Sequence, residues 1–222
     1  MWVGFAVGCA LFVVGAAIGW FVWLPEYRPG LQSGETFGID VSHHQGEIDW
    51  SRVASDDIDF AYIKATQGSD FLDPRFLENW SAAAEAGLER GAYHFFTLCR
   101  PGREQAEHFL AAAPDGDLPL AVDLELAGNC SERPPADDVM AELGDFLAAV
   151  EADRGEQVVL YVGDDWEAVY PVRDEFKGPL WHRRILRRPD RNDWWIWQFS
   201  GMSHVDGVGG DVDLNVMRST AP

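Results

Sequence analysis

The chain has 222 residues, of which 47% are hydrophobic and 24% charged, and its formal net charge is −20. This composition is typical of a globular protein and excludes an intrinsically disordered chain. The acidic balance argues against nucleic acid as a partner, because the phosphate backbone would be repelled. The length suffices for one domain with a short appendage.

The N-terminal residues Trp2 to Leu24 carry no charged side chain, which predicts a transmembrane helix. At ~1.5 Å per residue such a helix spans roughly 34 Å, enough to cross a hydrocarbon core of about 30 Å. A cleaved secretory signal is the alternative, because Gly15-Ala16-Ala17 offers small residues for cleavage, although no basic residue precedes the apolar run. We expect residues 1–24 to form an uncleaved single-pass anchor.

Residues 25–36 are rich in Pro, Gly, Ser and Glu, which predicts a linker. The folded domain is expected over residues 37–222.

Within the domain, five short apolar runs alternate with helical segments, and three strand-like runs follow at shorter, irregular spacing. The eight runs are 38–41, 60–65, 91–96, 118–125, 158–163, 179–181, 195–198 and 212–215. Helices are expected between Asp73 and Gly87, from Pro101 to Leu110, and from Pro135 onward, where apolar residues repeat on one helical face.

This β–α repetition predicts an α/β fold with a parallel sheet and right-handed crossovers. Eight strands are most economically arranged as a closed barrel. The domain is short for a full eightfold β/α barrel, typically about 250 residues, so some of the later helices should be missing.

Four acidic residues fall where such a barrel carries its chemistry, at the carboxyl ends of strands. Asp40 is near the end of the first strand, Asp123 and Glu125 end the fourth, and Asp213 lies in the last. Asp123 and Glu125 are two residues apart, so both side chains point to the same face. Two close carboxylates raise the proton affinity of one of them, as a glycosidase requires. A structural ion-pair site or a metal site is the alternative from spacing alone.

Other catalytic patterns are not found. The sequence contains no Gly-x-Ser-x-Gly, no His-Glu-x-x-His and no glycine-rich phosphate loop after the first strand. His43 and His44 are adjacent, and their side chains would point to opposite faces of a strand, which disfavours a chelating pair. We therefore predict no metal site and no cofactor.

The chain resembles glycoside hydrolase family 25, the muramidases of the Chalaropsis lysozyme type, from about Phe37 to Met217. The matching stretches, each weak alone and specific in this order, are Gly38-Ile39-Asp40-Val41-Ser42-His43-His44-Gln45-Gly46, Tyr62-Ile63-Lys64-Ala65-Thr66, Gly91-Ala92-Tyr93-His94-Phe95, Asp123-Leu124-Glu125, Trp197-Gln198 and Val212-Asp213-Leu214-Asn215.

The resemblance implies a TIM-like (β/α)5(β)3 barrel that hydrolyses the β-1,4 bond between N-acetylmuramic acid and N-acetylglucosamine in peptidoglycan. It implies that Glu125 is the general acid and that Asp123 stabilises the reacting sugar or its acetamido group. Asp40 and Asp213 correspond to two further aspartates of the cleft. The expected substrate-binding residues are Tyr62, Tyr93, Tyr161, Trp181 and Gln198.

The sequence departs from the family pattern at two places. Gln67 stands where the family usually has Glu after the second strand. His182-Arg183-Arg184 follows Trp181, where the family often has a small residue and Tyr. These departures bear on sugar-binding subsites and not on the reaction.

Of the three cysteines, Cys9 lies in the apolar N-terminal run, which leaves Cys99 and Cys130 as a possible disulfide pair. They follow the third and fourth predicted strands. Because neighbouring parallel strands lie about 4.8 Å apart, loops at one barrel end can bring the two sulfurs together. Such a bridge requires an oxidising compartment.

Peptidoglycan is extracytoplasmic, so we expect the catalytic domain outside the cytoplasmic membrane, in the periplasm or at the cell surface. Two other functions remain open. One is an inactive barrel that binds cell wall, although the acid pair is intact. The other is a related acetamido-sugar glycosidase such as a chitinase-like barrel, although the fourth strand lacks the longer Asp-rich motif of that group.

Overall fold

The computed structural model of the chain describes residues 15, 19–190 and 192–221. The predicted membrane segment, residues 1–24, lies mostly outside these residues. In the described part of the segment the chain forms a π-helical turn at Gly19–Trp23. No helix among the described residues is both long and apolar enough to cross a bilayer.

The domain contains a closed barrel of eight strands, as the eight apolar runs predict. The strands, with one short addition, are β1 (Glu35–Val41), β2 (Phe60–Gln67), β3 (Phe71–Leu72), β4 (Glu89–Phe95), β5 (Ala121–Leu124), β6 (Val159–Val162), β7 (Leu180–Arg183), β8 (Trp194–Ser203) and β9 (Val212–Arg218). Their order around the barrel is β1-β9-β8-β7-β6-β5-β4-β2, and β2 pairs with β1 to close the ring. The two-residue β3 folds back on the end of β2 outside the ring.

Helices connect the first five barrel strands to the strands that follow them. They are α1 (Trp50–Ser55), α2 (Phe76–Glu85), α3 (Gly102–Ala112), α4 (Ala136–Arg154) and α5 (Asp164–Glu167), with a short 3₁₀ helix at His43–Gln45. The last helix has a single turn, and the described residues between β7, β8 and β9 form none. The arrangement is therefore the predicted (β/α)5(β)3 barrel with reduced late helices.

The direction of the last strand differs from the expected parallel sheet. β9 is antiparallel to both of its neighbours, β8 and β1, whereas the other barrel pairings are parallel. The amino end of β9 therefore lies beside the carboxyl ends of the other strands. Asp213, the second residue of β9, pairs with Asp40 of β1 and so reaches the barrel end where the other acids lie.

Aromatic rings fill the barrel below this end. Tyr62 and Trp181 meet with ring centroids 4.8 Å apart, and both side chains are almost fully buried. Gly91 faces Tyr62 across the β2–β4 pairing, and a Cβ atom at residue 91 would overlap the Tyr62 ring. Gly38 stands in the same relation to Phe60. These glycines let large rings close the barrel interior, which forms a solid floor beneath the acids.

The segment predicted as a linker packs on the barrel. Arg28 forms an ion pair with Asp56 at 2.6 Å, and the carbonyl of Pro25 accepts a hydrogen bond from the backbone N–H of His204. Strand β1 begins at Glu35, two residues before the expected start of the domain at Phe37. The reason is that Glu35 pairs with β9 and binds Arg188 through two hydrogen bonds of 2.5 and 2.9 Å. The division into anchor, linker and barrel otherwise stays a prediction.

The predicted disulfide between Cys99 and Cys130 is confirmed, with a Cα–Cα separation of 6.3 Å. It joins the loops that leave β4 and β5, so it lies at the same barrel end as the acids. The bridge closes a loop with a sequence separation of 31 residues.

Candidate active site

All four predicted acids line one cavity of about 500 Å³ at the barrel end formed by the carboxyl ends of the parallel strands. β5 supplies Asp123 and leads directly into Glu125, while β1 and β9 supply Asp40 and Asp213 from the opposite wall. The predicted convergence of the acids therefore holds, although it depends on the reversed direction of β9. Carboxylates in one cavity repel one another, so the negative charge of one raises the pKa of the others.

Asp123 and Glu125, at the end of β5 and directly after it, have proton affinities suited to acid catalysis. Burial, followed by repulsion from Glu125, raises the pKa of Asp123 well above its ordinary range. Burial also raises the pKa of Glu125. The hydrogen bond from Tyr161 and then the charge of Arg183 limit the rise at Glu125. Lys64, another residue of the cavity wall, opposes both shifts with its positive charge. A carboxyl group whose pKa is raised keeps its proton to higher pH and can donate it to a leaving group.

On the opposite wall, Asp40 and Asp213 differ in their hydrogen-bond partners and in their pKa values. Asp40 Oδ2 accepts hydrogen bonds from Asn215 Nδ2 at 2.7 Å and from Gln198 Nε2 at 3.2 Å. Burial raises the pKa of Asp40 to about 6, and the two amide donors limit the rise. Burial and then the charge of Asp40 raise the pKa of Asp213 to about 8. Asp40 is therefore the ionised member of this pair at neutral pH.

Tyr161 connects the two walls of the cavity. Its hydroxyl oxygen lies 3.1 Å from Glu125 Oε1 and 3.0 Å from Gln198 Oε1. A hydroxyl has one hydrogen, and Gln198 Oε1 can only accept. Both contacts are hydrogen bonds at once when Glu125 is protonated and donates to Tyr161, which then donates to Gln198. The acid form of Glu125 thus fits the donors and acceptors around it.

Asn129 fixes the backbone from which Glu125 projects. Its side-chain Nδ2 donates to the carbonyl oxygens of Phe96, at 2.8 Å, and of Glu125, at 2.9 Å, and its Oδ1 accepts from the N–H of Leu98 at 3.0 Å. The next residue, Cys130, carries the disulfide. The bridged loops therefore hold the end of β5 in place.

Four of the five predicted substrate-binding residues line the cavity, namely Tyr93, Tyr161, Trp181 and Gln198. Two of them act mainly on other side chains. Gln198 is almost fully buried between Tyr161 and Asp40, and Trp181 Nε1 donates to Asn215 Oδ1 at 2.8 Å.

The structure does not place Tyr62 in the cavity, which corrects the prediction that it contacts substrate. Its side chain has no exposed surface, and its hydroxyl donates to the carbonyl of Pro119 at 3.0 Å. Residues that alternate along a strand share a face but differ in depth, and on β2 it is Lys64, two residues further on, that lines the cavity.

Three functional residues were missed. Asn215 supports Asp40, and Lys64 and Arg183 bring positive charge to the cavity. Each is two residues from a predicted interior residue on the same strand, so strict alternation from Asp213, Tyr62 and Trp181 could have found them. Lys64 is held by Gln67 Oε1 at 2.8 Å and lies 4.8 Å from the Phe95 ring centroid.

Comparison with known proteins identifies the same family that the sequence motifs resemble. The family model described as glycosyl hydrolases family 25 matches residues 39–208. The chain is 37% identical to the uncharacterized protein YegX of Escherichia coli O157:H7, over 82% of this chain and 70% of that protein. It is 34% identical to lysozyme M1 of Streptomyces globisporus, over 83% of this chain and 68% of that protein.

The fold is also shared with solved structures. A family 25 glycosyl hydrolase from Bacillus anthracis superposes with a TM-score of 0.77 and 32% identity, covering 86% of this chain and 93% of the other. The sequence match spans β1 to the loop before β9 and includes three of the four acids of the cavity. The chain therefore belongs to glycosyl hydrolase family 25, as its sequence motifs predict.

Proposed function

We propose that this chain is an N-acetylmuramidase, a lysozyme that hydrolyses the β-1,4 bond between N-acetylmuramic acid and N-acetylglucosamine in peptidoglycan. The observation that carries the proposal is Glu125 beside Asp123 at the mouth of the barrel, with the Glu125 carboxyl held by Tyr161. Membership of family 25 and the similarity to lysozyme M1 support it.

In this proposal Glu125 is the general acid. It is the acid whose raised pKa accompanies an opening to the cavity, and its carboxyl is held in place by a hydrogen bond with Tyr161. When the glycosidic bond breaks, the Glu125 proton passes to the leaving oxygen, and the sugar gains positive charge. The ionised Glu125 then accepts a hydrogen bond from Tyr161 and can take a proton from the attacking water.

Asp123 faces the reacting sugar in this proposal. Its Oδ1 is buried and has no hydrogen-bond partner in the described part of the chain, which leaves an acceptor for an acetamido N–H or a charge for the sugar. Lys64 favours the ionised form of Asp123, against the larger effects of burial and of Glu125, which raise the pKa of Asp123. Asp40 and Asp213 serve mainly to position the substrate and to set the charge of the cavity. Tyr93 also lines the cavity.

Single substitutions of the four acids test these roles. Glu125→Gln keeps the shape and removes the transferable proton, so we expect turnover of purified cell wall to fall at least about a hundredfold while glycan binding persists. Asp123→Asn should also be severe, and Asp40→Asn and Asp213→Asn milder. The assays are wall turbidity with analysis of the released ends, and thermal melts to check folding.

The outcomes separate the competing functions. Reducing ends at N-acetylmuramic acid support a muramidase, whereas binding without release of ends would identify a wall-binding barrel, and cleavage of chitin oligosaccharides alone would identify a chitinase-like enzyme. Near-normal activity of Glu125→Gln together with an inactive Asp40→Asn would show that the roles are assigned wrongly.

We also propose that the enzyme acts outside the cytoplasmic membrane, anchored there by residues 2–24. The substrate is extracytoplasmic, and the uncharged run has the length of a membrane-spanning helix. Fractionation of cells that make the full chain should find it in the membrane pellet, released by detergent and not by salt. Full-length protein in the cytoplasm would contradict the proposal, and shortened protein in the medium would favour a cleaved signal.

A further inference from the structure

Arg183 is a cation at the cavity wall that forms no hydrogen bond or ion pair within the described part of the chain, although its charge lowers the pKa values of Asp40, Glu125 and Asp213. It is the last residue of β7, pairs in register with Gln198, and lines the cavity together with the four acids. Its side chain is exposed and forms no hydrogen bond or ion pair with any described residue.

The absence of such a bond distinguishes Arg183 from the other arginines of the described residues. Every other arginine in the described ranges donates to an acceptor or pairs with a carboxylate. Arg184, the next residue along the chain, binds Asp190 at 3.0 Å. The other cation of the cavity, Lys64, is buried and held by Gln67. Arg183 therefore presents its guanidinium group to a ligand that enters the cavity.

We propose that Arg183 forms a subsite that binds a carboxylate of the glycan substrate, an inference that rests on the proposed muramidase function. A guanidinium group matches a carboxylate with two parallel hydrogen bonds and loses little hydration in doing so. An anion entering a cavity lined by four acids is otherwise repelled, and the positive charge of Arg183 at the wall offsets that repulsion.

Peptidoglycan can supply this carboxylate from two sources. N-acetylmuramic acid carries a lactyl group whose carboxylate is free in glycan without peptides. In peptide-bearing glycan that carboxyl is an amide, and the acidic residues of the stem peptide supply carboxylates instead. The two sources share one chemistry, and blocking each separately distinguishes them.

The test compares four substrates with the intact enzyme. They are glycan strands with free lactyl carboxylates, the same strands after conversion of these groups to methylamides, peptide-bearing strands, and peptide-bearing strands with amidated stem carboxylates. The quantity measured is the ratio of kcat/KM for each carboxylate form to that for its amide. Any effect of residue 183 on the catalytic acids cancels in this ratio.

We expect the wild-type enzyme to prefer the carboxylate form in one of the two pairs, which identifies the source. Arg183→Gln should reduce that preference about tenfold, since charge-assisted hydrogen bonds contribute on that order. Arg183→Lys should retain part of it, because a lysine keeps the charge without the two-pronged geometry. Arg184→Gln is the matched control and should leave the preference intact.

Two results would overturn the inference in different ways. If Arg183→Gln and the wild type show equal ratios for both pairs, Arg183 acts only as a charge near the acids, and the muramidase function stands. If the wild type cleaves none of the four substrates, the proposed function itself is wrong.

Discussion

The carboxyl groups of Asp40 and Asp213 face each other across paired strands, yet only Asp40 receives hydrogen bonds from neighbouring amides. Burial therefore acts on Asp213 without such compensation and raises its pKa to about 8. A carboxyl group whose pKa is raised on folding contributes stability below its unfolded value near 4, and this contribution is lost as pH rises through the folded value. The raised pKa of Asp213 thus lowers the free energy of unfolding at neutral and alkaline pH.

We expect Asp213→Asn to stabilise the protein in a pH-dependent way. The amide cannot ionise, so the variant should melt several degrees above the wild type at pH 8, for a gain on the order of 2 kcal/mol, and close to it at pH 4. Melting curves at the two pH values measure the effect. Asp145→Asn, at an exposed residue of α4 that forms no ion pair with any described residue, is the control and should change neither value. A rise of equal size at both pH values would attribute the gain to packing and not to charge.

Individual residues of the site were predictable where face and position along a strand decide their placement. Asp123 and Glu125 are of this kind, because period-two alternation puts both on the inner face at a strand end. The depth of Tyr62 was not predictable, because it depends on the stagger of the strands around the barrel. The link from Tyr161 to Asp40 through Gln198 was also beyond the sequence, since it joins three strands.

Among the elements, the packing of β2 against β4 depends on the missing side chain at Gly91. We expect Gly91→Ala to destabilise the protein by about 1–3 kcal/mol, because the new methyl group overlaps the Tyr62 ring in a closed interior. Denaturant unfolding measures the change. The matched control is Gly144→Ala in α4, where a Cβ meets nothing within 4 Å and removal of a helical glycine should stabilise by about 1 kcal/mol. Equal effects of the two substitutions would show that the ring does not limit the space.

Strand positions and the order of helices followed from hydrophobic periodicity, but the direction of β9 did not. An alternating run such as Val212 to Asn215 looks the same read from either end. The direction depends on the connection, but helix content does not decide it. The described part of the β7–β8 connection also lacks a helix, yet β7 and β8 are parallel whereas β8 and β9 are antiparallel.

The molecule as a whole carries a formal net charge of −20 and is proposed to act on an anionic wall. Repulsion between two surfaces of like sign slows their encounter and is screened by salt over a Debye length of about 10 Å at 0.1 M. We therefore expect kcat/KM on insoluble wall to rise severalfold between 10 and 150 mM NaCl, with kcat on short soluble fragments unchanged. A rate that falls steadily with salt would mean that attraction by a local cationic surface outweighs the overall charge.

The pairing of β1 with β9 has a consequence for when the enzyme can first act. Asp40 lies near the start of the barrel and Asp213 near its end, and the wall of the cavity that they form exists only once these strands have met. A chain still being synthesised, with residues after 212 inside the ribosome or the export channel, has an open barrel and lacks that wall. The cavity is therefore complete only after β9 has emerged and paired with β1.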